Sequence, residues 1–290
     1  MRQVCALGVL LHALAARAAP PGPSDRWSLV LSDDFDSFNA SRWTKGWTWC
    51  DGHGHLRPQR VHKKAGDACY FADENVWVED GRLVLENRHE RRGGYNYTSG
   101  VVNTGPSFQT LYGYFEARIL ASPPSGAPGA CPAFWLPNIM NAGDNGVGEI
   151  DVMEIPGGPH SGAGKAVWFT VHDGRSNASF GNFFYPTLTP PFLPAHWADG
   201  TFHTYAVHWE PGRLTFYVDG VQRFTTTHFV PSTPAYLVFD NEVGISGDAW
   251  GGVPDPTAFP HRMLVDYVRV WHEGRDHSAV PPYEYVISRA

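Results

Sequence analysis

Charged residues are scarce in this chain of 290 residues: they make up 18% of it, against roughly a quarter of an average globular protein. Basic residues are the scarcer kind, since 22 Lys and Arg stand against 29 Asp and Glu, and the net charge is −7. Proteins that bind nucleic acids are commonly basic, so no nucleic-acid partner is expected. Aromatic residues reach 14%, which excludes a disordered chain. This composition is typical of a tightly packed core or of a surface that binds neutral sugars, and it does not separate the two.

Long apolar runs are also missing, apart from one at the N-terminus. The run Val4–Leu14 follows Arg2 and precedes the small-residue pattern Ala16-Arg17-Ala18. This order predicts a signal peptide over residues 1–18 and a secreted protein, with a buried N-terminal helix as the alternative. No other segment is long and apolar enough to span a bilayer, so we expect no membrane association after the signal is removed. Secretion would allow glycosylation at three N-x-S/T sequons, at Asn39, Asn96 and Asn177.

Cysteine is rare, with four residues, and Cys5 lies inside the predicted signal peptide. Three cysteines then remain, and the simplest arrangement is one disulfide and one thiol. A pairing of Cys50 with Cys69 is the first choice, because it closes a loop rich in Gly and His; three buried thiols are the alternative. The spacing of the cysteines does not suggest a zinc site.

Stretches without glycine or proline are short, because the chain holds 31 Gly and 24 Pro; only Ser24–Lys45 exceeds 14 residues. Long helices are therefore not expected. Two alternating apolar segments end in Asp-Gly turns, at Asp80-Gly81 and Asp219-Gly220, and predict β-hairpins. Further strands are predicted within 111–119, 202–209 and 263–271. We find no internal repeat, so we expect one all-β sandwich or barrel over residues 24–275, a tail over 276–290, and a monomer.

The segment G-E-I-D-V-M-E-I at 148–155 concentrates three carboxylates between glycine-rich turns. Side chains of a strand alternate between its faces, so Glu149 and Asp151 share one face. Glu154 would fall on the other face unless a single β-bulge near Val152-Met153 restored the alternation. With that bulge the three acids align, and Ile150, Val152 and Ile155 are buried behind them.

This arrangement suits glycoside hydrolysis by a pair of carboxylates. The backbones of the two Glu would lie about 13 Å apart, and converging side chains could bring their carboxyl groups to the ~5–5.5 Å of a retaining pair. One carboxylate would attack the anomeric carbon, the other would protonate the departing oxygen, and the Asp between them would tune both. An acidic, solvated strand face or a calcium site is the alternative for this spacing alone.

With its flanks, the segment resembles glycoside hydrolase family 16, in its laminarinase-like β-1,3(4)-glucanase branch. The run P-A-F-W-L at 132–136, followed by G-E-I-D-V-M-E at 148–154, is similar to the signature of that family. Other motifs follow in the family's order: S-D-D-F-D at 32–36, D-G-R-L at 80–83, Y-G-Y-F-E-A-R at 112–118, H-T-Y at 203–205, F-Y-V-D-G at 216–220 and V-D-Y-V-R-V at 265–270. The resemblance covers about Trp27 to Trp271.

The resemblance implies a two-sheet antiparallel jelly-roll sandwich of the concanavalin A-like kind, with a concave substrate cleft. It implies a retaining endo-glycosidase acting on β-1,3- or mixed β-1,3/1,4-glucans. Glu149 would be the nucleophile, Glu154 the general acid/base and Asp151 the helper, with a polysaccharide substrate and no cofactor for catalysis.

The resemblance also implies contacts outside the acidic strand. Four positions match places where the family touches sugar: Asn103, Trp135, His172 and Trp250. Trp47 and Trp49 are weaker candidates for sugar platforms, whereas Phe216 and Tyr267 lie in alternating strands and are expected to be structural. Many members hold a structural calcium, for which Asp266 and the backbone near Gly113 would supply oxygens. An arginine partner for Asp266, either Arg118 or Arg269, is the alternative.

Three features depart from the family pattern and leave the particular glycan open. Cys131 stands where Trp is frequent, 236–244 replaces the commoner run N-L-A-V-G-G, and W-T-W-C-D-G-H-G-H at 47–55 is atypical. A galactan hydrolase of the agarase or carrageenase type is therefore the main alternative. A transglycosylase on the same scaffold and a non-catalytic glucan-binding lectin are further alternatives.

Overall fold

A computed structural model describes residues 19–50, 56–61, 68–121, 128–138, 148–158, 166–173, 178–184, 200–244 and 251–274, with side chains except at 49–50, 56–61, 178–180 and 182–184. The predicted signal peptide (1–18) and the tail (276–290) lie outside this part of the chain. Within it, no helix has the length and apolar character needed to cross a membrane.

The regular secondary structure of the described residues is almost entirely β-strand. Three short 3₁₀ turns occur, at Ser24–Arg26, Asp73–Asn75 and Pro256–Ala258. The strands, numbered in chain order, are β1 Trp27–Asp33, β2 Thr44–Lys45, β3 Trp47–Cys50, β4 Leu56–Val61, β5 Cys69–Phe71, β6 Val76–Glu79, β7 Arg82–Asn87, β8 Tyr97–Ser99, β9 Val101–Asn103, β10 Gly113–Leu120, β11 Ala130–Pro137, β12 Glu149–Glu154, β13 Val167–Asp173, β14 Ala178–Phe184, β15 His203–Glu210, β16 Arg213–Val218, β17 Val221–Thr226, β18 Val238–Val243 and β19 His261–Glu273.

Two antiparallel sheets build the sandwich. The eight-stranded sheet runs β17-β16-β15-β10-β19-β7-β6, with β1 also paired to β19. The seven-stranded sheet runs β14-β13-β12-β11-β18-β9-β2, so the acidic strand β12 is an inner strand. Two small sheets join β3 to β4 and, in parallel, β5 to β8. The predicted all-β, two-sheet antiparallel architecture is confirmed.

The predicted hairpins are also confirmed. β6 pairs with β7 across Asp80-Gly81, and β16 pairs with β17 across Asp219-Gly220. All four turn residues have positive φ, between 50° and 71°. That conformation matches the right-handed twist of the flanking strands in a two-residue turn, and Asp and Gly tolerate it. The Asp-Gly pairs in the sequence therefore determine the turns that join these strands.

Aromatic side chains fill the space between the two sheets. Phe169 of the seven-stranded sheet packs on Phe216 of the eight-stranded sheet, with ring centroids 5.1 Å apart. Phe134 and Phe239, on the neighbouring strands β11 and β18, stack at 4.8 Å. All four rings are fully buried. Much of the aromatic content is therefore core, as predicted for Phe216.

A buried carboxyl group lies on the outer face of the eight-stranded sheet. Glu116 is 4% exposed, and it accepts hydrogen bonds from the hydroxyl groups of Tyr267 at 2.9 Å and Tyr114 at 3.3 Å. Burial raises the pKa of Glu116 above its ordinary value, and the two hydroxyl groups and Arg269 offset this only in part. Tyr267 is thus structural, as predicted.

Glu116→Gln should remove a pH-dependent loss of stability. The folded protein holds the Glu116 proton more tightly than the unfolded chain does, because its pKa is raised. Wild-type stability should therefore fall as the pH rises from about 4.3 through the folded-state pKa, whereas the variant cannot ionise there. Thermal unfolding across this pH range should show that the unfolding midpoint of the variant rises relative to that of the wild type as the pH increases. The exposed site Glu90→Gln is the matched control, and parallel curves for Glu116→Gln and wild type would contradict this interpretation.

Candidate active site

One extra residue in β12 sets the orientation of the acids. On one side, Phe134 pairs with Met153 and Trp135 pairs with Asp151, so Val152 has no opposite residue on β11. On the other side, Asp151 pairs with Thr170 and Glu154 with Trp168, three residues against two. The β-bulge predicted near Val152-Met153 is confirmed.

The bulge places the three acids on the exposed face of the sheet. Glu149 and Glu154 are half-buried, and Asp151 is 3% exposed. Ile150, Val152, Met153 and Ile155 are buried in the core between the sheets. The acids line an open cleft together with residues of β11 and β18, and its lining consists of Cys131, Ala133, Trp135, Glu149, Asp151, Glu154, Asp240 and Glu242.

His172 lies beside the acids from the next strand. It pairs with Glu149 across β12 and β13, and its Nε2 atom is 3.0 Å from Asp151 Oδ2 and 3.7 Å from Glu149 Oε1. The imidazole therefore lies between Asp151 and Glu149, and a protonated ring would partly neutralise both carboxylates. His172 thus lies beside the acidic strand, and its contact with sugar stays a prediction.

Two groups of side chains in the described residues could hold a metal ion by distance alone. One is Glu149, Asp151 and His172; the other is His208, Glu210 and Glu273, on the outer face of the other sheet. In the second group, Arg213 already pairs with Glu210 at 2.7 Å, and Arg26 pairs with Glu273. These arginines supply the positive charge that a cation would bring.

Trp135 lies next to the acids, as predicted. Its indole Nε1 donates a hydrogen bond to Asp240 Oδ1 at 2.8 Å, and the side chain is 6% exposed. Trp47 is a different case, because it is 2% exposed and packs its ring edge on Phe71. The interpretation of Trp47 as a sugar platform is wrong, since its ring fills the cluster beneath Trp135. The side chain of Trp49 and the whole of Trp250 lie outside the described residues.

The side chain of Asn103 hydrogen-bonds to the surrounding backbone. Its Nδ2 donates to Gly46 O at 2.7 Å, its Oδ1 accepts from Gly105 N at 3.0 Å, and the residue is 1% exposed. It therefore fixes a turn on the seven-stranded sheet. A sugar contact would have to displace these bonds, so the substrate-binding role of Asn103 remains a prediction without structural support.

The predicted calcium site at Asp266 and Gly113 stays a prediction, and the geometry around Asp266 does not favour it. Asp266 Oδ2 lies 2.7 Å from Arg118 Nη1, and Oδ1 lies 3.9 Å from Arg82 Nε, so two guanidinium groups face the carboxylate. Gly113 lies five residues before Arg118 on β10. Arg118 pairs with Tyr267, which is the neighbour of Asp266 on β19. At the rise of a strand the five residues span about 17 Å, too far for Gly113 and Asp266 to share an ion. The arginine alternative holds, with Arg118 as the partner.

The predicted disulfide between Cys50 and Cys69 is not supported either. In the described part of the chain, Cys69 and Cys131 are buried thiols. Cys69 Sγ accepts a hydrogen bond from the Val243 amide at 3.3 Å, so its sulfur points to β18. The Cys50 side chain lies outside the described residues.

The sequons remain predictions. Asn39 and Asn96 are exposed, as glycosylation requires, and Asn177 lies outside the described residues.

Asp240 and Glu242 are cleft residues that the sequence analysis did not identify. Both belong to the unusual run 236–244, where they alternate with the buried residues Phe239 and Asn241. This alternation is the sequence signal that could have identified them as residues of one strand face. Their partners lie on β11, where Ala133 pairs with Asp240 and Cys131 pairs with Glu242.

Known proteins are similar to this chain in sequence and fold. Residues 64–269 match the model of Glycosyl hydrolases family 16. A β-glucanase of Rhodothermus marinus is 33% identical over 267 residues, covering 84% of this chain and 85% of the relative. The catalytic domain of an endo-1,3-β-glucanase (laminarinase) from Thermotoga petrophila superposes with a TM-score of 0.68 at 29% identity, covering 86% of this chain and 99% of that one. The laminarinase catalytic domain of Thermotoga maritima gives 0.67 at 28% identity, with the same coverage.

The sandwich and its carboxylate-lined cleft therefore define a glycoside hydrolase with the jelly-roll fold. The chain belongs to glycosyl hydrolases family 16, in agreement with the resemblance found in the sequence.

Because arginines already neutralise Asp266, calcium should not stabilise this protein through that residue. We expect the same thermal midpoint of unfolding in EDTA and in millimolar calcium chloride. Asp266→Asn should lower the midpoint equally in both buffers, because Arg118 loses its ionic partner in either case. A calcium-dependent rise in the wild type that Asp266→Asn abolishes would contradict this assignment.

Proposed function

We propose that this enzyme is a secreted, retaining endo-β-glucanase that cleaves β-1,3- or mixed β-1,3/1,4-glucans. The observation that carries the proposal is the placement of Glu149 and Glu154 on one face of β12, on either side of Asp151, in an open cleft. The names of the β-glucanase and laminarinase relatives support the glucan substrate. The apolar run before Ala18 supports secretion.

Glu149 acts as the nucleophile in this mechanism. Its carboxylate attacks the anomeric carbon, and the bond from that carbon to the leaving oxygen breaks. Glu154 gives its proton to that oxygen, so the shortened glycan leaves as an alcohol. Glu154, now ionised, then takes a proton from water, whose oxygen attacks the anomeric carbon and releases Glu149. Two inversions give net retention.

The surroundings of the two Glu support these different protonation states. Three carboxyl groups on one strand disfavour full ionisation, so a proton is most easily retained by one of them. His172 faces Asp151 and Glu149, whereas Glu154 lies opposite Ala133 and Trp168. Glu149 is thus nearer to the potential positive charge, which favours its ionised form.

Stereochemistry and substrate range test the proposal together. Purified enzyme should release oligosaccharides from laminarin or lichenan, and proton NMR should show β-anomers as the first products. Agarose, carrageenan and xyloglucan belong in the same panel. An α-anomer as first product, or cleavage restricted to a galactan, would contradict the proposal. Products longer than an added oligosaccharide acceptor would identify transglycosylation instead.

Substitution of the two Glu separates their roles. Glu149→Gln should abolish turnover, and Glu154→Gln should lower kcat by about a hundred- to ten-thousand-fold, because general acid–base catalysis contributes that much. On an aryl β-glycoside whose leaving group needs no protonation, added azide should restore turnover in Glu154→Ala and give a β-glycosyl azide, since azide needs no general base. Glu90→Gln, at an exposed site outside the cleft, is the matched control and should match the wild type. Full activity of Glu149→Gln at an unchanged fold would contradict the assignment.

A further inference from the structure

Asp240 reaches the cleft from a strand that the catalytic motif does not include. It lies on β18 opposite Ala133, and Glu154 lies opposite Ala133 on the other side of β11. Its carboxylate accepts the indole hydrogen bond of Trp135 at 2.8 Å. Trp135 pairs directly with Val238, so the bond to Asp240 runs diagonally across the two strands, within the reach of such side chains.

The chemistry of Asp240 goes beyond what a buried indole requires. An indole N–H is only a donor, and a neutral oxygen would satisfy it. Asp240 is 2% exposed, and it lines the cleft together with the three acids of β12. A charged acceptor makes a shorter and stronger hydrogen bond than a neutral one and restrains the donor more tightly.

The ring that Asp240 holds is next to the reacting groups. Trp135 pairs with Asp151, the central acid, and both line the cleft. Behind it, the Trp47 ring lies 5.8 Å away at an interplanar angle of 50°, so packing from below leaves the indole tilted. The hydrogen bond to Asp240 adds to this packing a directed restraint on the Nε1 edge.

We propose that Asp240 is a positioning residue: it fixes the Trp135 indole as the wall of the cleft against which a sugar ring packs beside Glu149 and Asp151. The inference rests on the proposed function, since it requires a sugar ring at Trp135. An indole face offers apolar contact to a pyranose, and a small rotation of the ring would misplace that contact. Asp240 touches neither substrate nor reacting atoms in this role.

NMR of the indole groups tests the hydrogen bond without any substrate. In protein labelled with ¹⁵N-tryptophan, the resonance missing from Trp135→Phe identifies the Trp135 N–H. We expect this signal to lie downfield and to resist exchange with water. Asp240→Ala should move it upfield and speed its exchange, whereas Asp240→Asn should preserve most of both properties, because the amide oxygen can accept the bond. A Trp135 signal that Asp240→Ala leaves unchanged would overturn the proposal.

Kinetics test the positioning role. Asp240→Ala should raise KM on laminari-oligosaccharides about tenfold with kcat within about threefold, and Asp240→Asn should raise KM by about two- to threefold, because its amide oxygen accepts a weaker hydrogen bond than a carboxylate. In a Trp135→Phe background, Asp240→Ala should have no further effect on KM, because the donor is already gone. An equal effect of Asp240→Ala in both backgrounds, or Asp240→Asn as damaging as Asp240→Ala, would overturn the proposal. Circular dichroism of each variant confirms that it is folded.

Failure of the proposed function gives a different pattern. If the wild type does not cleave β-glucans, the kinetic comparison moves to whichever glycan it does cleave, and the NMR result stands independently. If the wild type is active and the NMR signal responds as expected but KM does not, the positioning role of Asp240 is wrong and the proposed function is unaffected.

Discussion

The chemistry of this protein depends on the β-bulge at Val152. A strand presents alternate side chains to opposite faces, so an offset of five residues would place Glu154 with the core residues. The unpaired residue changes that offset, and Glu154 joins Glu149 and Asp151 on the exposed face. The pairing on both sides of β12 maintains the bulge, because β11 and β13 hold the strand at either end of the irregular step.

The core supplies the free energy that keeps these acids together. Behind the acidic face, Ile150, Val152 and Met153 are fully buried, and each such side chain contributes roughly 1.5–3 kcal/mol on burial. A shift of β12 by one residue would expose them, so repulsion between the carboxylates cannot be relieved by slipping the register. His172 on one side and the Trp135–Asp240 pair on the other complete the surroundings from neighbouring strands. The arrangement of the three acids thus depends on the whole sheet rather than on one segment.

Features encoded by local periodicity could be predicted from the sequence. The alternation around Glu149 predicted the bulge, and the Asp-Gly pairs predicted both hairpins. Features that depend on strands distant in the chain could not. Trp47 looked like a loop aromatic, but Phe71 and Trp135 enclose it. Asp240 lies 105 residues from Trp135, and only the pairing of β11 with β18 brings them together. Asp266 resembled a calcium ligand until the position of Arg118 on the adjacent strand was known.

Covalent trapping tests the central claim most directly. A β-1,3-linked disaccharide with fluorine at C2 and a fluoride leaving group should form a stable glycosyl-enzyme, because the C2 fluorine slows both attack and release whereas the fluoride leaving group restores the rate of attack. Mass spectrometry of the peptides should then find the sugar attached to Glu149, in the peptide that carries the bulge. Attachment to Glu154, or no adduct from an enzyme that cleaves laminarin, would contradict the account.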